Sequence, residues 1–215
     1  MPLALFDLDN TLADRAGAFG RWVAAFADRF NLPDDVAPWV LEADGDGFVP
    51  RPEFLAAVRE QLQLGPTVRE LIELYDATYP ACYLRENEST LALQSLRDSG
   101  WSVGVVTNGR TSQQMEKMRR TGLDQVVDAV CVSEALGVRK PDRRIFEEAA
   151  RQCSARLEGW MVGDSPAADV AGGRAAGLRT AWLARGRHWV TGPPPDIIVA
   201  SITEAVGYLL AHEPR

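Results

Sequence analysis

The sequence predicts an α/β fold: a parallel sheet covered by helices, with an all-helical stretch inserted near the start of the chain. Three observations carry that prediction. Short apolar, β-branched runs recur at residues 3–6, 103–107, 126–132, 160–162, 180–183 and 197–199. Helix-length segments separate most of them, and the span 14–85 has helical periodicity with no convincing strand. Strands that alternate with helices pair in parallel, and a sheet of that kind is buried on both faces.

Taken in order, the first run is LALF, followed at once by DLDNT. Its apolar part is too short for a signal peptide or a membrane span, and no later segment is long enough to cross a membrane. Phe19, Trp22, Val23, Phe26 and Phe30 then fall at i, i+3, i+4, i+7 and i+11, one apolar face of a helix. Residues 14–85 are expected to form the helical insert, and residues 1–13 with 86–215 the α/β core. Inside the insert one helix ends near Glu42 and another starts near Pro52. In the core, residues 89–99, 112–121 and 166–176 read as helices stopped by Gly100, Gly122 and Gly177, glycine being the expected residue just past a helix end. Ser165 before Pro166 reads as an N-cap with proline in the first turn, Ser201 with Glu204 has capping-box spacing, and residues 193–195 form a rigid proline turn before the last strand.

A chain of 215 residues with 46% hydrophobic content can bury a real core. Its net charge of −7 argues against a broad basic face for nucleic acid or an anionic membrane, so a small solute is the expected partner. Acids outnumber arginines twelve to seven in the insert. Cys82, Cys131 and Cys153 are odd in number and widely spaced, which fits a reducing, cytoplasmic compartment rather than a disulfide scaffold. Lysine occurs only twice, at Lys117 and Lys140, and that scarcity singles both out.

Chemistry concentrates at the predicted strand ends. In DLDNT, Asp7 and Asp9 leave a strand at i and i+2 and point to the same side. Two adjacent carboxylates repel, which requires either a cation between them or a proton on one. A hard divalent ion such as Mg²⁺ suits the first solution, and a carboxyl acting as general acid suits the second. The plainer alternative is a solvated turn. VVTNGR places Thr107 and Asn108 just before a helix, where free N–H groups favour an anion. RKPD places Lys140 before another helix, and GDSPAAD brings Asp164 and, one turn later, Asp169. Each alone fits a cap, a surface charge or a turn former. In a parallel sheet all four fall on the carboxyl edge, where α/β folds bind ligands.

One loop points elsewhere. In LEADGDGFVPRPEF, residues 41–54, the acids Glu42, Asp44, Asp46 and Glu53 with Gly47 match the spacing of an EF-hand calcium loop. Against that, Pro50 and Pro52 offer no side-chain ligand and no second such loop is present.

DLDNT, Thr107 with Asn108, Lys140 and GDSPAAD, in that order and with a helical insert after the first, resemble the four motifs of the haloacid dehalogenase superfamily over essentially the whole chain. The resemblance implies a Rossmann-like parallel sheet flanked by helices, with the insert as a small all-helical cap. It further implies an Mg²⁺-dependent phosphate monoester hydrolase working through an aspartyl-phosphate. On that pattern Asp7 is the nucleophile and Asp9 the general acid and base. Thr107, Asn108 and Lys140 bind phosphate, while Asp7, the Asp9 carbonyl and Asp164 hold the metal. Asp169 supports Lys140 or a metal-bound water. The loop around Phe48 and Arg51 would then read a small phosphorylated metabolite, with no nucleic-acid or membrane partner and with monomer or homodimer undecided.

Asp9 favours ester hydrolysis over dehalogenation, because dehalogenases of the superfamily lack that second aspartate. A phosphosugar mutase resembles the sequence as well, but such enzymes usually carry a histidine where this chain has Phe19. A phospho-receiver domain and a calcium-binding regulator are the alternatives from other classes.

Overall fold

Leu3, Ala4, Leu5 and Phe6 are apolar without alternation, and all four are fully buried in β1 (Leu3–Phe6). A strand of that composition is stable only when both its faces are covered, which puts it inside a sheet rather than at an edge. The remaining strands are β2 (Ser102–Thr107), β3 (Ala129–Val132), β4 (Gly159–Gly163), β5 (Arg179–Leu183) and β6 (Ile197–Val199). In the computed structural model they form one six-stranded parallel sheet in the order β3-β2-β1-β4-β5-β6. Residues 1–33, 35–190 and 192–212 are described. They divide into two units, Met1–Asp14 with Arg85–Arg215, and Arg15–Leu84.

The helices are α1 (Arg15–Phe30), α2 (Val36–Ala43), α3 (Arg51–Gln61), α4 (Val68–Thr78), α5 (Asn87–Asp98), α6 (Thr111–Thr121), α7 (Ser133–Leu136), α8 (Arg143–Gln152), α9 (Gly172–Ala176) and α10 (Ile202–His212). The first four belong to the second unit and the rest to the sheet unit. One sheet face is sealed by Ile145, Phe146 and Ala149 of α8, which pack with Leu3, Leu5, Val106, Cys131 and Met161. Elsewhere α5 packs on β2, and α10 packs on β5, β6 and α5.

Two expected elements differ from the sequence prediction. The strand expected at 126–132 begins only at Ala129, because a 3₁₀ turn at Leu123–Gln125 takes the Val126 N–H (3.1 Å to the Leu123 carbonyl). The helix expected at 166–176 is in fact a π-helical segment, Pro166–Ala171, followed by the short α9. Its ends are as expected: Ser165 Oγ accepts from the Ala168 N–H at 3.2 Å, and Gly177 closes it with φ +91°. At the start of α10 the Glu204 N–H bonds Ser201 Oγ at 3.1 Å, but the Glu204 carboxylate reaches back to the Ala200 N–H rather than to that of Ser201.

The second unit is held by an aromatic cluster. Phe19, Trp22 and Phe26 line the buried face of α1, with Phe30 half-buried. Trp22 meets Tyr75 at 4.9 Å between ring centroids, and Phe19 meets Phe54 at 5.8 Å and Tyr79 at 6.1 Å. The position at which a mutase usually carries histidine is therefore core packing in this chain.

The calcium-like loop folds around a different cation. Gly45, Asp46 and Gly47 all take positive φ (57°, 54° and 88°), which reverses the chain between α2 and α3. A Cβ on Gly47 would lie 2.6 Å from Arg15 Nε, so a glycine is needed for Arg15 to come this close. Asp44 is fully buried and binds Arg15 Nη2 at 2.6 Å and Arg51 Nη1 at 2.9 Å. Both its oxygens are committed to guanidinium groups, and the calcium alternative fails at that residue. Arg51 pairs with Asp44, not with neighbouring Glu53, and stacks over the Tyr75 ring at 3.9 Å. Phe48 is 65% exposed at the loop surface.

Removing the Asp44 carboxylate takes an ion-pair partner from two arginines, one of them buried. Asp44→Ala should therefore destabilise the protein by about 3–5 kcal/mol in denaturant unfolding, the range for breaking a buried ion pair from one side. Added Ca²⁺ should not raise the wild-type melting temperature.

Candidate active site

The ends of β1 and β4 bring carboxylates together. Asp7 directly follows the last paired residue of β1, and its N–H bonds the Val162 carbonyl of β4 at 2.9 Å. Its carboxylate Oδ1 accepts from Lys140 Nζ at 2.5 Å, and its Oδ2 accepts from Thr11 Oγ1 at 3.2 Å. Lys140 Nζ also pairs with Asp169 Oδ1 at 2.8 Å. The ammonium is thus sandwiched between two carboxylates and buried to 3% exposure. Asp169 Oδ2 accepts the Ser165 N–H at 2.9 Å. Asp169 packs so closely on β4 that a Cβ on Gly163 would lie 2.3 Å from its carboxyl carbon.

Asn108 is tied to Lys140. Its side-chain oxygen accepts the Lys140 N–H at 2.9 Å, and its Nδ2 donates to the Lys140 carbonyl at 3.1 Å. The amide thereby fixes the backbone that carries Lys140. Thr107, 1% exposed, ends β2 beside it.

Asp164 lies past the end of β4. Its carbonyl accepts Trp182 Nε1 at 2.8 Å and Arg187 Nη2 at 2.7 Å, while its Oδ2 lies 3.2 Å from Arg187 Nη2 and 3.5 Å from Arg185 Nη1. Arg185 and Arg187 thus brace this aspartate. Arg187 lies over the Trp182 ring at 5.4 Å, and Trp189 packs edge-on against it at 5.1 Å.

Asp9 turns to a different partner. Lys117 Nζ donates to its Oδ1 at 2.9 Å and to its Oδ2 at 2.7 Å, and Gln114 Nε2 adds a bond to Oδ2 at 3.0 Å. Gln114 also donates to Thr107 Oγ1 at 2.5 Å. Neither Gln114 nor the role of Lys117 follows from the motifs. The available signal was that lysine occurs only twice in the chain.

Burial pushes the Asp7 carboxyl up to about 8; the Lys140 ammonium opposes this, while Asp169 and Asp164 reinforce it. For Lys140, burial works against the charge, but Asp169 and Asp7 outweigh it and the net direction is upward. Carboxylate oxygens of Asp7, Asp164 and Asp169, all buried, lie within 4.8 Å of one another. This hard, all-oxygen set suits Mg²⁺. Asp7, Asp164 and Asp169 are the carboxylates placed to hold it.

A parallel sheet thus gathers acids, a lysine and a threonine at its carboxyl edge. Residues 1–177 match the family described as haloacid dehalogenase-like hydrolase, and the chain belongs to that family. It is 32% identical over 196 residues to a ribulose-1,5-bisphosphate 5-phosphatase of Halopiger xanaduensis, covering 82% of each protein. It is 38% identical over 113 residues to the pyrimidine 5'-nucleotidase YjjG of Escherichia coli. That match covers 51% of this chain and 50% of YjjG, so the chain spans about half the length of this relative. Among solved structures, the HAD-hydrolase YfnB of Bacillus subtilis, bound to magnesium, superposes with a TM-score of 0.77 over 97% of this chain and 98% of its own at 22% identity. Among the described residues no helix is long and apolar enough to cross a membrane.

The raised Asp7 value makes a stability prediction for protein kept in chelator. Burial makes the folded state bind the Asp7 proton more tightly than the unfolded chain does, whose carboxyl loses it above about pH 4. A folded-state value above the unfolded one gives stability that is full below the unfolded value and is lost as pH rises through the folded one. Wild-type melting temperature in EDTA should therefore fall relative to Asp7→Asn between about pH 5 and pH 8, and Mg²⁺ added at pH 8 should raise it for wild type only. A difference between the two proteins that does not change with pH would contradict the assignment.

Proposed function

We propose that the protein is an Mg²⁺-dependent phosphate monoester hydrolase acting on a small phosphorylated metabolite through a phosphorylated Asp7. The observation that carries this is the buried Asp7–Lys140–Asp169 arrangement beside Asp164: a carboxylate aimed by a fixed cation, next to a second carboxylate suited to a divalent ion. The similarity to proteins named as phosphatases supports the same reading.

In this scheme an Asp7 oxygen attacks phosphorus in line, forming a P–O bond as the bond to the leaving oxygen breaks. Asp9 gives that oxygen a proton, then takes one from the water that attacks the phosphoenzyme, which frees phosphate and regenerates Asp7. The Thr107 hydroxyl holds a phosphate oxygen, and Lys140 screens the repulsion between phosphate and nucleophile. Asn108 serves the same step by holding the Lys140 backbone, and Asp169 by orienting its ammonium. Asp7, Asp164 and the Asp9 carbonyl would hold Mg²⁺, which when bound neutralises charge on the phosphate and keeps the Asp7 carboxylate ionised.

Residues 14–85, inserted in the chain between the strands that carry Asp7 and Thr107, are proposed to act as the cap. Within it, exposed Phe48 is the better candidate for substrate choice, because Arg51 is already paired with Asp44.

A metabolite-panel phosphate-release assay tests this function. Wild type should release phosphate with Mg²⁺, lose activity in chelator and regain it when Mg²⁺ is restored. Asp7→Asn should lower kcat by about 10⁴-fold or more while remaining folded. Appreciable turnover by Asp7→Asn, or turnover in chelator, would exclude the covalent metal-assisted route.

A further inference from the structure

Gln114 and Lys117 stand three residues apart on α6, the helix that follows Thr107, and so share one face of it. Both are buried, at 2% and 4% exposure. Burying an amide and an ammonium is costly unless both are paired. Both reach the same carboxylate: Lys117 straddles the two Asp9 oxygens at 2.9 and 2.7 Å, and Gln114 adds its bond to Oδ2 at 3.0 Å. Through the same Nε2, Gln114 also holds Thr107 Oγ1 at 2.5 Å. One helix face therefore fixes a side chain from the end of β1 and a hydroxyl from the end of β2 together.

We propose that Lys117 and Gln114 are positioning residues that aim the Asp9 carboxylate at the leaving oxygen and lock its direction to that of the Thr107 hydroxyl. The inference rests on the phosphatase function proposed above. A carboxylate free to rotate about its side-chain bonds meets the leaving oxygen only part of the time, whereas one held by three donor contacts is pre-set for transfer. The tie to Thr107 means that whatever moves the phosphate contact also moves the proton-transfer group. A purely structural staple between α6 and the turn after β1 would hold the fold equally well, and it would affect all substrates alike.

The experiment compares wild type, K117M, K117R and Q114L on two esters in Mg²⁺: 4-nitrophenyl phosphate, whose leaving group departs without help, and the alkyl phosphate that wild type turns over fastest. The ratio kcat/KM reports steps up to departure of the leaving group and excludes hydrolysis of the shared phosphoenzyme. K117M should lose about 100-fold or more on the alkyl ester and less than about tenfold on the aryl ester, in the range of a lost general acid. Q114L should show the same bias more weakly, and K117R should recover most of the alkyl activity. A crystal structure of K117M should show the Asp9 carboxylate turned from its wild-type direction. Equal losses on both esters, no loss on either, or an unmoved Asp9 in K117M would overturn the proposal. If wild type cleaves neither ester, the phosphatase function falls, and the Asp9 direction in the K117M crystal decides the positioning role by itself.

Discussion

The candidate site depends on one buried ammonium. Lys140 lies 2.5 Å from Asp7 and 2.8 Å from Asp169, and either carboxylate without it would be a buried anion facing another anion. Its backbone is gripped by Asn108 from the end of β2. The carboxyl ends of β1, β2 and β4 thus converge on a single charge, and the sheet's parallel order makes that convergence possible. The strand ends adjoin where the order turns from β1 to β4, the place at which open α/β sheets form a ligand crevice.

The two acids of DLDNT show how the chain handles like charges at i and i+2. Sequence reasoning allowed a cation between them or a proton on one. The fold adds a third arrangement, in which each takes its own lysine: Lys140 for Asp7 and Lys117 for Asp9. The chain's two lysines are both used here, while arginines serve the surface pairs, the Asp44 cluster and Asp164. A compact ammonium fits between closely set carboxylates where a planar guanidinium would not.

The α/β architecture was legible because unbroken apolar strands and glycine-stopped helices are strong local signals, and the positions of Asp7, Thr107, Lys140 and Asp164 followed from sheet geometry. What could not be read was pairing. Nothing in the order of residues says that Lys117 faces Asp9, that the Asn108 amide fixes a backbone, or that Asp44 neutralises two arginines. Those choices are settled by packing across distant segments. The EF-hand-like spacing was misleading for the same reason: Gly45 to Gly47 do build a tight turn, but the turn brings an arginine, not an ion, to the carboxylate.

The π-helical segment Pro166–Ala171 was likewise invisible, since its serine cap and terminal glycine are those of an ordinary helix. It lies between Asp164 and α9 and carries Asp169 to Lys140. Deleting a residue between Ser165 and Asp169 would rotate the Asp169 carboxylate about the helix axis and away from Lys140. Most loops in an α/β protein tolerate gain or loss of a residue. At this point the chain has a fixed gauge, and length is held as tightly as identity.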